Sequence, residues 1–261
     1  MAFFKMSKQQ IKDNQIIDAW LDNEPFKMNS RDKNPQIPVL SPWEVRKMYT
    51  PLYPGDTGQF FSTQRIANEF GDFVANDLGI DVTGKTILEP SAGLAALVEW
   101  TKDFADKVVC FEADRKLVEI GQKIEPWIEW VQNSPFDPQY WPEMEGQFDL
   151  VFANPPYGTT WAMLEADEFC QSGAKRSEHR FLELAIRALK PGGMAIFVAP
   201  VNFVEKMPKA MQEWAKENVS IGLSRPVEGQ FDLTKINTSI FSFLKPLPKK
   251  VIPLGEYWRL T

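Results

Sequence analysis

Apolar and polar positions along this chain alternate in blocks that predict strands and helices in turn. Short apolar runs, typical of strands buried in a parallel sheet, recur from residue 86 onward, with helical periodicity between them. We predict strands at residues 86–89, 108–112, 128–132, 148–153, 194–199, 220–225 and 238–244. The clearest helices are predicted at residues 62–78 and 178–189, the second ending at Lys190-Pro191-Gly192-Gly193.

This alternation predicts an α/β fold built on a doubly wound, mostly parallel seven-stranded sheet. Few residues separate the last two strands, so we expect them to pair as an antiparallel C-terminal hairpin. Residues 1–52 differ from the rest, with an amphipathic helix at 7–21, a polar stretch at 23–38 and a short helix starting at Ser41-Pro42. We interpret residues 1–52 as a helical N-terminal arm and residues 53–261 as the main domain.

Composition narrows the classes of protein to consider. The 261 residues carry a net charge of −6, which argues against a broad phosphate-binding surface but leaves room for a local basic groove. Candidates for such a groove are Lys175-Arg176 with Arg180, Lys206 with Lys209, and Lys245 with Lys249-Lys250. No membrane-spanning run or signal-peptide pattern is present, and the two cysteines have no metal-binding spacing, so we expect a cytoplasmic protein without a metal.

The most informative segment is Asn154-Pro155-Pro156-Tyr157, which follows the apolar run 148–153. Two consecutive prolines cannot continue a strand, because neither has an N–H to donate. The chain must therefore leave the sheet at the carboxyl end of a strand, where open α/β sheets bind their ligands. An amide, a bare carbonyl and an aromatic ring arrive there together, a set able to hold a flat amine.

Two other strand ends carry candidate cofactor-binding residues. The first predicted strand ends in Glu89-Pro90-Ser91-Ala92-Gly93, where small residues let a ligand approach the backbone. That run lacks the Gly-Lys-Ser/Thr of a phosphate loop and the three glycines of a dinucleotide site. The second strand ends in Glu112-Ala113-Asp114. Glu112 is placed to accept the two hydroxyls of a ribose, and we expect Asp114 to cap the next helix.

A third candidate segment, Phe60-Phe61-Ser62, precedes the first strand. Ser62 is a suitable helix N-cap, and its hydroxyl with the free N–H groups behind it can also receive a carboxylate. The two phenylalanines offer an apolar wall to a ligand.

Together these segments resemble class I S-adenosylmethionine-dependent methyltransferases of the Asn-Pro-Pro-Tyr type, and most closely the adenine-specific (amino) DNA methyltransferases. Residues 58–63 (GQFFST) are similar to the family's Gly-x-Phe-Phe-Thr-Pro motif, 89–95 (EPSAGLA) to its cofactor loop, and 228–244 to its last hairpin. The resemblance implies S-adenosylmethionine as cofactor and DNA as substrate. It implies that Asn154, Pro155, Pro156 and Tyr157 are catalytic and that Phe231 stacks on a flipped base.

The resemblance also implies how the reaction proceeds. The Asn154 side-chain oxygen and the Pro155 carbonyl would accept the two N–H bonds of the adenine amine and turn its lone pair toward the methyl group. No general base is required, so we expect His179 to be a surface or packing residue and Asp149 to be structural.

Three departures from the family pattern stand out. Thr63 replaces the usual proline and Ala95 a frequent glycine, and the acid expected after the third strand is replaced by Asn133-Ser134, with Asp137 nearby. We retain Ser134 as a cofactor-binding candidate. No large recognition domain is expected after the catalytic domain, so loose specificity, a short site recognised by the arm and the 158–177 loop, or a second subunit are all open.

Alternative functions remain at this stage. An RNA adenine or guanine amino-methyltransferase shares the Asn-Pro-Pro-Tyr signal. A protein glutamine methyltransferase shares it as well, but lacks the Phe-Phe-Ser/Thr segment. A non-catalytic partner subunit with the same fold is the third alternative.

Overall fold

The computed structural model describes residues 6–28, 33–50, 61–158, 168–227 and 236–248 of the chain. Seven strands form one sheet. They are β1 (Thr86–Glu89), β2 (Lys107–Glu112), β3 (Glu129–Gln132), β4 (Phe148–Ala153), β5 (Leu189–Pro200), β6 (Ser220–Pro226) and β7 (Thr238–Leu244). The spatial order is β3-β2-β1-β4-β5-β7-β6. The first five strands are parallel, and β7 lies antiparallel to both β5 and β6. The predicted α/β fold, with its parallel sheet and antiparallel C-terminal hairpin, is confirmed.

The described helices occupy both faces of the sheet and the N-terminal arm. They are α1 (Lys8–Asp22), α2 (Pro42–Met48), α3 (Gln64–Asp72), α4 (Arg115–Ile124), α5 (Trp141–Met144), α6 (Ser177–Ala188) and α7 (Lys209–Asn218). Both arm helices begin where the sequence predicts. The Ser7 and Ser41 side chains each accept a hydrogen bond from the backbone N–H three residues on, and the side chains of Gln10 and Glu44 accept one from the backbone N–H of the cap residue.

Two predicted boundaries are wrong. The helix predicted at 62–78 is α3 followed by a π-helical segment, Phe73–Asp77, and its N-cap is Thr63 instead of Ser62. The Lys190-Pro191-Gly192-Gly193 segment belongs to β5 instead of ending a helix. It is extended because Gly192 N donates to Lys245 O and Lys245 N donates to Gly193 O, both at 2.9 Å. These bonds extend the pairing of β5 beyond the end of β7.

The central strands of the sheet are buried on both faces, which is why β4 and the second half of β5 carry apolar runs. The edge strands β3 and β6 are more exposed. Along β4, Val151 and Ala153 face one apolar cluster and Leu150 and Phe152 face the other, as the alternation of a strand requires. Cys110 is fully buried in the second cluster, as expected for a small core residue.

The N-terminal arm packs on the main domain through a third apolar cluster. Ile17 and Trp20 of α1 and Val45 of α2 lie against Leu117 and Ile120 of α4. Across the described part of the chain, no helix combines the length and apolarity that a membrane crossing needs.

His179 and Asp149 have structural surroundings. His179 is fully buried, with Nε2 2.9 Å from the Phe203 carbonyl oxygen and the two rings in edge contact. Asp149, near the amino end of β4, accepts hydrogen bonds from Thr86 N (2.9 Å) and Lys190 Nζ (2.8 Å). Partial burial raises the pKa of Asp149, but these hydrogen bonds outweigh it and lower the pKa to about 2.

Candidate active site at the carboxyl end of the sheet

The carboxyl ends of β1 and β4 are neighbours, because the two strands pair in parallel register. The loop after β1 (residues 90–96, the β1 loop) and the segment starting at Asn154 therefore leave the sheet side by side. One small cavity of about 30 Å³ lies between them. Its lining consists of Arg46, Phe61, Ser62, Glu89, Ser91, Ala92, Gly93, Leu94, Ala96 and Asn154.

The β1 loop has an unusual backbone. Gly93 and Ala95 both have left-handed φ values, +55° and +54°. A β-carbon on Gly93 would lie 3.0 Å from the Phe61 ring, so the close contact between ring and loop requires glycine here. Ala95 has no such freedom, and a non-glycine residue in this conformation is strained. Strain of this kind persists only where the surrounding structure holds the backbone in place.

Glu112 links the end of β2 to the β1 loop. Its Oε2 accepts a hydrogen bond from Gly93 N, and its Oε1 accepts one from Asp114 N, both at 2.9 Å. Burial raises the pKa of Glu112 to about 7, while the bonds from the backbone oppose that rise. Each carboxylate oxygen retains a further lone pair, so the group can still accept hydroxyl donors. Asp114 caps α4, as predicted, accepting from Lys116 N at 2.8 Å.

A second carboxyl group, that of Glu89, lines the cavity, whereas Glu112 is not among its lining residues. Glu89 is 2 % exposed, and burial raises its pKa well above the ordinary value. The Sγ of Cys110 lies 3.9 Å from Glu89 Oε2. Nearby, the Ser91 hydroxyl is buried, and no residue that the structure describes is hydrogen-bonded to it. An unsatisfied buried hydroxyl in a cavity that Glu89 also lines is suited to a polar ligand with hydroxyl or amine groups.

Asn154 connects the segment after β4 to the segment before α3. Its Nδ2 donates to Ser62 Oγ at 3.1 Å, and the Tyr157 hydroxyl lies 2.7 Å from its Oδ1. The same hydroxyl lies 3.1 Å from the Val198 carbonyl oxygen, and the Tyr157 ring packs against an apolar cluster under the sheet. Burial raises the Tyr157 pKa well above its ordinary value, so the phenol stays a hydrogen-bond donor at neutral pH.

Several predicted site residues do not line the cavity. Ser134 Oγ accepts from Phe136 N at 3.2 Å and so helps to form the turn after β3. Asn133 Nδ2 donates to Asp137 Oδ2 at 2.9 Å. Asp137 is the acid nearest in sequence to the expected cofactor contact, and this bond engages one of its oxygens. Pro90 and Pro155 are next to cavity-lining residues in the sequence, whereas Ala113 and Pro156 do not line the cavity. Glu112 and Tyr157 do not line it either, but each is hydrogen-bonded to a lining residue. Phe60, Phe231 and residues 159–167 of the 158–177 loop lie outside the described residues.

The structure also revises the basic groove suggested by the sequence. Arg180 is only 8 % exposed and donates to the Ala174 carbonyl at 3.2 Å, so it is not a surface cation. Arg176 pairs with the buried Glu178 at 2.6 Å. Lys245 Nζ donates to the Leu189 carbonyl at 2.5 Å. These three side chains are committed to contacts within the protein, because each satisfies a buried or partly buried acceptor.

Three cavity-lining residues were not predicted from the sequence: Arg46, Leu94 and Ala96. Leu94 and Ala96 extend the predicted loop. Arg46 comes from α2 in the N-terminal arm, and nothing in its seven-residue helix distinguishes a buried arginine from an exposed one. Within the described residues, no group of histidine, cysteine and acidic side chains could hold a metal ion.

Comparison with known proteins identifies a family. A family model described as the Eco57I restriction-modification methylase matches residues 84–222, more than half of the chain. No curated protein matches the sequence significantly. The match confirms the resemblance to class I methyltransferases that the sequence motifs indicate.

Solved structures show the same fold. A Listeria monocytogenes protein assigned to the class I S-adenosylmethionine-dependent methyltransferases is 16% identical, with a TM-score of 0.61 over 96% of this chain and 86% of that one. A Pyrococcus horikoshii protein assigned as an RNA methyltransferase is 18% identical, with a TM-score of 0.51 over 72% and 88% of the two chains. The DrdV protein, in a complex with DNA, is 15% identical, with a TM-score of 0.57 over 77% of this chain and 28% of that one.

Proposed function

The chain belongs to the Eco57I restriction-modification methylase family, and we propose that it methylates the exocyclic amine of adenine in DNA. The single observation that carries this proposal is the position of Asn154. Its amide lies where β4 leaves the sheet, and the cavity that it lines is shared with Gly93 and the β1 loop. A hydrogen-bonding amide and a loop suited to a nucleoside thus lie next to each other.

The amine must be held so that its lone pair faces the methyl donor. We assign this to Asn154 Oδ1 and the Pro155 carbonyl oxygen, which accept the two N–H bonds. The bond from Asn154 Nδ2 to Ser62 fixes the orientation of the amide, so that Oδ1 is the atom presented to the substrate. Once the nitrogen has taken the methyl group, it loses a proton to water. The single histidine of the chain, His179, is buried against Phe203 and does not act as a base.

The residues around the β1 loop suit S-adenosylmethionine, which supplies a methyl group activated on a sulfonium. Glu112 would accept the ribose hydroxyls, and the unsatisfied Ser91 hydroxyl is available to a polar group of the ligand. Phe61 forms an apolar wall on Gly93. Because the cavity of about 30 Å³ has room for about one water molecule, a nucleoside must displace Phe61 or the loop to enter.

A base in duplex DNA has to leave the stack before its amine reaches Asn154. Flipping costs a few kcal/mol. Stacking on an aromatic side chain returns about 1–3 kcal/mol per base. We assign that stacking to Tyr157, with Phe231 as a second contact, so that two aromatic rings offset the cost of flipping.

The decisive experiment measures methyl transfer from labelled S-adenosylmethionine to duplex DNA, single-stranded DNA, RNA and protein in parallel. We expect label in the adenine of DNA, and we expect N154A to lose at least about 100-fold in rate because both amine contacts depend on its placement. Asn76, an exposed residue bonded to Asp72, supplies the matched control N76A, which should retain activity. Label found only in RNA or only in protein would refute the DNA assignment.

A further inference from the structure

Arg46 is a buried charge that reaches the β1 loop from the N-terminal arm. Arg46 is 7 % exposed, and its Nε donates to the Leu94 carbonyl at 3.0 Å. On its other side, Nη2 donates to Glu125 Oε1 at 2.6 Å, and Nη1 lies 3.1 Å from Glu99 Oε2. The planar guanidinium therefore joins α2, the β1 loop and the end of α4 at one point.

The residue that Arg46 holds lies between the two strained positions of the loop. Leu94 is flanked by Gly93 and Ala95, both with left-handed φ. Each of these three residues takes part in a hydrogen bond: Gly93 N donates to Glu112 (2.9 Å), Ala95 N donates to the Ala92 carbonyl (2.7 Å), and Arg46 donates to the Leu94 carbonyl. Of these bonds, only the last comes from the N-terminal arm.

The charge of Arg46 is already neutralised. Glu125 is 2 % exposed and accepts from both Arg46 and Trp127 Nε1, the latter at 2.7 Å. Glu99 is a second acid at the same guanidinium. Because two carboxylates balance the one cation, the geometry favours a role for Arg46 through the Leu94 carbonyl over one as a free cation for a ligand.

We propose that Arg46 is a positioning residue for the cofactor, which fixes the strained β1 loop so that S-adenosylmethionine can bind. The N-terminal arm then forms part of the cofactor site, because the Arg46 side chain holds the β1 loop in place. This inference rests on the proposed function, because it assumes that the β1 loop binds the cofactor.

The test compares R46K with V45A in the full chain. Lysine keeps the positive charge beside Glu125 and Glu99 but cannot bond both Leu94 and Glu125, because it lacks the branched guanidinium. Val45 is fully buried in the apolar cluster that also contains Leu94, and it does not line the cavity. V45A therefore loosens the packing of the arm but keeps the hydrogen bond from Arg46 to the Leu94 carbonyl. Calorimetry with S-adenosylmethionine and steady-state kinetics are measured at a temperature where all three proteins are folded.

We expect R46K to raise the dissociation constant and the KM for S-adenosylmethionine by about tenfold, the loss of one buried hydrogen bond. The KM for DNA should stay within about threefold of wild type, as should the cofactor affinity of V45A. Hydrogen exchange should accelerate at residues 91–96 in R46K and stay unchanged there in V45A. If R46K does not fold, R46M/E125M, which removes both members of the most buried ion pair, should show the same loss of cofactor affinity.

Two results would overturn the inference while leaving the proposed function intact: R46K binding the cofactor as wild type does, or V45A weakening it as much as R46K. Wild-type protein that binds no S-adenosylmethionine at all would overturn both together.

Discussion

The phenolic hydroxyl of Tyr157 lies 2.7 Å from Asn154 Oδ1 and 3.1 Å from the Val198 carbonyl oxygen. A phenol has one proton, so it donates to only one of these acceptors at a time. If the proton turns to Val198, the bond from Tyr157 to Asn154 Oδ1 is broken and the buried hydroxyl stays satisfied. The proposed amine acceptor is thus occupied by a bond that the protein can exchange at little cost.

The hydroxyl and the ring of Tyr157 therefore have different expected roles, which two substitutions can distinguish. We expect Y157F to keep methyl-transfer rates within about threefold of wild type, because stacking needs only the ring, and to lose about 1 kcal/mol of stability with the hydrogen bond. Y157A should lose at least about tenfold in the specificity constant for DNA, since a stacked base is worth about 1–3 kcal/mol. Rates and thermal unfolding of both variants test this. A Y157F enzyme as inactive as N154A would mean that the hydroxyl itself acts in catalysis.

Gly93 allows a paired test of loop geometry. Gly79 has a similar φ of +62°, but a β-carbon there would meet nothing within 4 Å. G79A should therefore cost only the left-handed strain, about 1 kcal/mol. G93A should cost that strain plus about 1–3 kcal/mol from overpacking against Phe61, and should weaken cofactor binding. Chemical denaturation and calorimetry measure the two effects, and equal losses in both variants would contradict the close contact with Phe61.

Glu112 predicts a pH dependence of cofactor affinity. Its pKa of about 7 means that the group is protonated below neutral pH, and a protonated oxygen no longer accepts a ribose hydroxyl as well. We expect the dissociation constant for S-adenosylmethionine to rise by up to about tenfold for each pH unit below 7. Calorimetry between pH 5.5 and 8.5 should show this slope in wild type and not in E112Q. A flat wild-type profile would argue against the ribose contact.

The raised pKa of Glu112 affects folding stability in the opposite direction to cofactor affinity. Because burial raises the pKa of Glu112 above its ordinary 4.5, the folded protein binds more protons than the unfolded chain between those two values. The contribution of Glu112 to stability should therefore fall as pH rises from about 4.5 to about 7, and remain unfavourable above that.

Substitution of Asp149 should change the stability of the protein and not its methyl-transfer rate. The pKa of Asp149 is lowered to about 2, so its stabilisation is fully present above the unfolded value near 3.8 and disappears as pH falls through 2. D149N should lose about 1–2 kcal/mol at pH 7, with the gap to wild type closing between pH 4 and 2. Methyl transfer should be unchanged. Asp18, paired with Lys116 at the surface, supplies the control D18N, which should change stability by less than about 0.5 kcal/mol.

Local patterns were sufficient to predict most elements of this protein. The apolar run of β4 is ended by two prolines, whatever the position of the strand in the sheet. The start of α2 at Ser41-Pro42 is stabilised by hydrogen bonds between residues close in sequence. The choice of cap for α3 was different. Ser62 and Thr63 are equally good caps, and Thr63 takes the role while Ser62 accepts from Asn154 across the site.

The sequence by itself therefore determined the order of strands and helices, the breaks between them and the candidate chemistry of the strand ends, since each depends on periodicity or on bonds within a few residues. Only the tertiary structure decided that Arg46 of the arm meets Leu94, that Arg180 is buried and that Asn154 bonds Ser62. The physical reason is that these contacts depend on the pairing and packing of elements far apart in the chain, which neighbouring residues do not record.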